Sequence, residues 1–152
     1  MRETDYPALG TTAVRICQDL IRIPSVNHGG GKGDELAVAA YVADFLTRCG
    51  LEPTSYQSAP TRVSVVARIK GRDSQKPGLV LHGHLDTVPA DAKDWKVDPW
   101  SGEIIDGEIW GRGAVDMKDM DAMILAIVED WHQRKYTPER DIVLAFFADE
   151  EA

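Results

Sequence analysis

Apolar residues recur at two different periods along the chain, and each period predicts a kind of element. Residues 1–10 are polar and marked by Pro and Gly, which predicts a loose start. Val14, Cys17, Leu20 and Ile21 then fall at helical spacing. Thr11 or Thr12 would cap that helix, which is expected to run to about residue 23, where Pro24 ends it. The glycine cluster over 29–33 reads as a loop. Asp34 is the expected cap of a second helix, with Leu36, Ala39, Ala40, Val42, Ala43 and Leu46 as its apolar face and Gly50 as its stop. Period-two and short apolar runs follow. A weak strand is expected over 52–57 and clear strands over 63–69 and 79–82, with a polar turn at 71–78. The apolar run 78–81 reads as a buried strand.

Residues 90–102 form a long loop carrying Trp95, Pro99 and Trp100. Asp106-Gly107 between apolar residues is a strong hairpin signal, so 104–110 is expected to fold back on itself. A third helix is expected over 119–134, with Met123, Ile124, Ile127, Val128 and Trp131 on its core side. The continuous apolar run 142–148 reads as a buried central strand. Helices alternating with strands imply an α/β fold, a three-layer mixed sheet flanked by helices.

Composition narrows the chemistry. A length of 152 residues fits one domain, and 43% hydrophobic with 28% charged residues is ordinary for a globular chain. The formal charge of −8 argues against nucleic acid, which needs clustered Lys and Arg. Cys17 and Cys49 are expected as two buried free thiols. With no charged-then-apolar leader, and no run near the roughly 18 apolar residues of a membrane span, the expected location is the cytoplasm, with no membrane partner.

Three acidic stations stand out against that background. In Leu81-His82-Gly83-His84-Leu85-Asp86-Thr87-Val88-Pro89, His84 and Asp86 lie two apart at a strand's end and so project to one side. Asp116 follows Gly113-Ala114-Val115, and Asp149-Glu150-Glu151 follows the apolar run 142–148. A hydrolytic metal site needs mixed nitrogen and oxygen ligands, an open position for water and a base to take its proton. His84, Asp116 and Glu151 supply the ligands, and Glu150, adjacent to Glu151 but turned elsewhere, the base.

These pieces resemble a known family. His82-Gly83-His84-Leu85-Asp86-Thr87-Val88-Pro89, then Trp100-Ser101-Gly102 and Asp106-Gly107 leading into Trp110-Gly111-Arg112-Gly113-Ala114-Val115-Asp116-Met117-Lys118, then Ala148-Asp149-Glu150-Glu151, are similar to the co-catalytic di-zinc metallopeptidases and amidohydrolases. Acetylornithine deacetylase, succinyl-diaminopimelate desuccinylase, aminoacylase and glutamate carboxypeptidase are among them. The resemblance implies a zinc-exopeptidase-like catalytic domain, incomplete at its C-terminus. It makes His84 a ligand of the first zinc, Asp116 the bridge between two zincs, and Glu151 a ligand of the second. Asp86 would orient His84, Glu150 would act as general base and acid, and Asp116-Met117 is where such proteins often carry a cis peptide. Cobalt or manganese suits the same donors.

On this reading residues 1–152 are the N-terminal part of a catalytic domain. The remaining ligands and a dimerisation or lid domain are expected outside it, the parent being a possible homodimer acting on small amide or peptide substrates. One departure is that Asp119-Met120 occupies the place of the usual Gly-Gly after the lysine.

Other features read more plainly. His82 is expected to be packed, His28 and His132 to lie on the surface, Trp95, Trp100 and Trp110 to pack around the long loop, and Arg112 and Lys118 receive no role. The glycines at 29–33 lack the Ser or Thr of a phosphate loop, and there is no nucleophile elbow or paired-histidine zinc helix. The competing reading is a catalytically inactive truncated fragment serving as a folding or binding unit, because three residues give each of two zincs only two protein ligands.

Overall fold

The computed structural model describes residues 4–151. Helix α1 spans Tyr6–Ile21, starting nearly two turns earlier than a cap at Thr11 or Thr12 implies. Residues 6–10 are therefore helical rather than loose, and residues 1–3 lie outside the described residues. Asp5 is the cap, accepting the N–H of Ala8 at 3.1 Å, and Pro7 occupies the first turn, where its missing N–H costs nothing. Thr11 is no cap; its hydroxyl donates to the Pro7 carbonyl. Helix α2 spans Leu36–Arg48. Asp34 does serve its start, accepting from the Leu36 N–H at 3.2 Å, while Glu35 turns its side chain inward.

Strands β1 (Thr54–Ala59), β2 (Arg62–Ile69), β3 (Leu79–His84) and β6 (Ile142–Phe147) form a mixed sheet in the order β1-β2-β6-β3. Only the β3–β6 pair is parallel. Strand β6 is thus central, as its apolar run predicts. The expected hairpin forms as β4 (Glu103–Ile105) and β5 (Glu108–Trp110), with Asp106 and Gly107 both at positive φ in the turn. Helix α3 spans Lys118–Arg134.

One apolar cluster joins α1, α2 and α3 to one face of the sheet. It takes Leu20 and Ile21 from α1, Val42 and Leu46 from α2, Leu125 and Val128 from α3, and Val65, Leu144 and Phe146 from the strands. Truncating a fully buried residue such as Leu144 to Ala costs about 2–5 kcal/mol. Met123, placed on the core side of α3 by its spacing, is instead exposed, and Ala122 and Leu125 take its place. The stripe of α3 is rotated because α1, rather than the sheet, is its principal neighbour.

The opposite face of the sheet carries Val66, Val80, His82, Val143 and Phe147, half-buried or exposed. This corrects the expectation for β3. Val80 is exposed because no helix covers that face, and Leu79, at the start of the strand on the other face, is exposed because among the described residues β3 pairs on one side only. His82 is likewise exposed, its ring 6.0 Å from that of Phe147. Both cysteines are buried free thiols, as expected, and burial pushes Cys17 up to about 11, where it is unreactive.

Candidate metal centre

Parallel pairing of β3 with β6 brings their C-terminal ends to the same edge, where ligands characteristically bind in open α/β sheets. His84 is the last residue of β3, and the 149–151 turn follows β6 directly. Pairing continues past the strands, because the Leu85 N–H reaches the Phe147 carbonyl at 2.7 Å. Asp116 arrives from a third direction, in the turn before α3, across a cis peptide to Met117 at the expected position.

Ligand atoms of His84, Asp116 and Glu151 all lie within 4.8 Å of one another. Two donors each about 2 Å from a zinc are at most about 4 Å apart, so the three need to close by less than an ångström. The Asp116 side chain is mostly exposed and free to make that move. In the structure it stands 3.0 Å from His84 Nε2, and the Glu150 carboxylate is 3.9 Å from the same atom. An imidazole ringed by carboxylates at one edge is a donor set for a divalent cation of the zinc, cobalt or manganese type.

Asp86 is fully buried, and its carboxylate is engaged on every side. Asn27 Nδ2 donates to it at 2.8 Å, and the main-chain N–H groups of Glu150 and Glu151 donate at 3.2 and 2.9 Å. Burial alone would raise its pKa, but His84, Asn27 and the two N–H groups together hold it well below the ordinary carboxylate range. Towards His84 Nδ1 the nearest Asp86 atom is its main-chain carbonyl, at 3.0 Å, with the carboxylate at 3.5 Å. The hydrogen bond to Asp86, with a smaller one to Asp116, outweighs burial and lifts His84 to about 9. Burial, reinforced by the neighbouring carboxylates, raises Glu151 above its usual value. Anions crowded at this density are relieved by a bound cation.

A cavity of about 310 Å³ opens beside the cluster, lined by Val88, Arg112, Val115, Asp116 and Glu151. A larger one, about 590 Å³, lies at the far end of α3 around Cys49, Trp131 and Tyr136 and includes no residue of the cluster. Volume does not locate the chemistry here.

Several residues at the site are invisible in the sequence pattern. Lys118 is fully buried and donates its ammonium to the carbonyls of Leu20 and Ile23, at 2.7 and 2.8 Å, pinning the end of α1 beneath the Asp116 turn. Asp121 is buried in the first turn of α3 with neither oxygen partnered. Asn27, Glu35 and Arg62 form a buried polar group behind Asp86. Glu35 ends Gly33-Asp34-Glu35, a string that, like Ile23-Pro24-Ser25-Val26 just before Asn27, looks typical of the resembled family; Asn27 itself and Arg62 gave no signal.

A mixed sheet presents His84, Asp116 and Glu151, a group that could hold a metal ion, at the carboxyl edge of its parallel pair. Residues 80–152 match the family model Peptidase family M20/M25/M40. The chain is 35% identical over 139 residues to succinyl-diaminopimelate desuccinylase of Rhodospirillum centenum, covering 91% of this chain and 35% of that protein. It is 33% identical over 137 residues to mouse N-fatty-acyl-amino acid synthase/hydrolase PM20D1, covering 86% and 27%. Among solved structures, human carnosine dipeptidase 1 superimposes with a TM-score of 0.79 at 25% identity, over 97% of this chain and 34% of that one. The chain therefore spans about a third of the length of these relatives.

Proposed function

We propose that this chain is the N-terminal part of the catalytic domain of a metal-dependent hydrolase that cleaves amide bonds of N-acyl amino acids or small peptides. The observation that carries the reading is the convergence of His84, Asp116 and Glu151 within 4.8 Å, inside the stretch that matches the M20 family. The names of the relatives, a desuccinylase, an acyl-amino-acid hydrolase and a dipeptidase, support the substrate class. The rest of the catalytic domain and a dimerisation or lid domain lie outside these residues on this reading. The alternative of a non-enzymatic folding or binding unit has no observation on its side among the described residues.

His84 and Asp116 would hold one divalent ion and Asp116 and Glu151 a second, with zinc the first choice and cobalt or manganese able to substitute. Such a pair, when bound, supplies Lewis-acid polarisation of the scissile carbonyl. Glu150 is solvent-accessible and within reach of the same space, so it takes the proton of the attacking water and returns it to the leaving amine. Asp86 is buried and its carboxylate is committed to three hydrogen-bond donors, so it positions rather than exchanges protons.

The test is metal analysis and hydrolysis of N-acetyl and N-succinyl amino acids and dipeptides by the full-length protein. Glu150→Gln is expected to keep the metal and lose at least about 100-fold in turnover, whereas His84→Ala loses the metal itself. Full activity in Glu150→Gln would remove that residue from the reaction. A metal-free, active wild type would remove the whole reading.

A further inference from the structure

We propose that Arg62 is a positioning residue for the metal centre, acting through Asn27 and Asp149 to fix both the Asp86 carboxylate and the turn that presents Glu150 and Glu151. The inference rests on the metal reading above. Arg62 opens β2 and is 2% exposed, with Glu35 and Asn27 also buried. One of its terminal nitrogens is paired with Glu35. The other reaches Asn27 Oδ1 at 2.9 Å and Asp149 Oδ1 at 3.0 Å. Asn27 then turns its amide nitrogen to Asp86 Oδ2 at 2.8 Å and to Asp149 Oδ1 at 3.2 Å. A continuous hydrogen-bonded chain thus runs from Glu35 through Arg62 and Asn27 to Asp86, and from there to His84 and the N–H groups of Glu150 and Glu151.

Stability alone gives little reason for this arrangement. Burying an ion pair costs desolvation that the attraction seldom exceeds, and apolar replacements are often neutral or better. What the group does supply is orientation. Asn27 is locked in one amide orientation because its oxygen receives Arg62 and the Gly29 N–H while its nitrogen faces two carboxylates. Its main chain is held against the residues after β3, with its N–H on the Thr87 carbonyl at 2.8 Å. Asp149 adopts positive φ, a conformation that turns the chain sharply after β6, and Arg62 and Asn27 are its side-chain partners. The guanidinium is seated against the bare Cα of Gly33, where any Cβ would overlap it. Only a fork serves Glu35 with one arm and Asn27 with Asp149 with the other, so lysine at 62 keeps the charge and loses the geometry.

The experiment uses the full-length protein with Arg62→Lys and Asp149→Gly, the latter at a half-exposed side chain whose positive φ glycine adopts freely. Zinc affinity is measured by chelator competition, ligand geometry by the visible spectrum of the cobalt-substituted protein, and apoprotein melting in EDTA. Both variants are expected to bind zinc about 10- to 100-fold more weakly, the range typical of residues that orient metal ligands. Their cobalt bands shift while the apoprotein melting point of Asp149→Gly stays near the wild-type value. Asp149→Gly is decisive should Arg62→Lys fail to fold. Unchanged zinc affinity and cobalt spectrum in that variant overturn the proposal and leave the metal site standing. A wild-type protein that binds no zinc overturns the metal reading and this one with it.

Discussion

The Oδ2 atom of Asp86 accepts the main-chain N–H of Glu151 at 2.9 Å, so the residue two past the end of β3 fastens the residue four past the end of the parallel neighbour β6. That bond couples two stations about 65 residues apart in sequence. It fixes Glu151 relative to the strand end that carries His84.

Replacing Asp86 with Ala leaves two part-buried main-chain N–H groups without their acceptor and the Asn27 amide with Asp149 alone. The expected cost is about 3 kcal/mol of folding stability, from roughly 1–3 kcal/mol for each unsatisfied buried group with partial relaxation. Urea denaturation of the metal-free protein measures it. A change below about 0.5 kcal/mol would mean that water reaches these groups freely.

Asp121 gives the protein a pH-dependent liability. Burial pushes its carboxyl up to about 8, with Asp119 adding to the rise and His84 and Lys118 opposing it. The folded chain therefore keeps a proton that the unfolded chain releases near pH 4, so stability falls as pH rises from about 4 to about 8, by at most about 1.4 kcal/mol per unit. His84, raised to about 9, contributes in the same direction above about pH 6.5. Asp121→Asn removes only the first contribution. Denaturation midpoints at pH 5 and pH 8 should lie closer together in the variant than in the wild type; an equal spread in both would show that Asp121 is ionised in the fold.

Lys118→Met keeps the buried stem and deletes the ammonium, leaving the Ile23 carbonyl without its lysine donor and the Leu20 carbonyl with only the Ile23 N–H at the end of α1. A cation there also complements the helix dipole. A loss of about 2–3 kcal/mol is expected by urea titration. The same substitution should speed hydrogen exchange in the last turn of α1, which a purely local effect on α3 would not do.

Gly83 approaches α3 so closely that a Cβ there would overlap Asp121 Oδ1 and lie 3.5 Å from Met117 Cε. Gly83→Ala should cost about 1–3 kcal/mol through overpacking. Adding Asp121→Ala should recover most of that loss, because the obstructing atom is then gone. Additive losses in the double variant would place the clash with the backbone instead.

Local pattern was sufficient for most elements and for the chemistry-bearing stations. The alternation at 63–69, the unbroken apolar run of β6 and the Asp106-Gly107 turn each encode an element in a few adjacent residues, so they were legible. His84, Asp116 and Glu151 were legible for the same reason, since each sits in a short string of distinctive residues beside a strand or turn. The start of α1 was also written locally, in Asp5 and Pro7, but the apolar stripe drew attention away from it.

What sequence determined, then, is whatever depends on near neighbours: element type, turn chemistry, and which side chains carry metal-binding atoms. Tertiary structure alone decided what depends on distant partners. It buried Arg62 with Glu35 and Asn27, left Asp121 unpartnered under Gly83, exposed Val80 on the uncovered face of the sheet, and turned Met123 outward. A residue's burial is set by the element packed against it, and that element comes from a remote part of the chain; no window of neighbouring residues contains it.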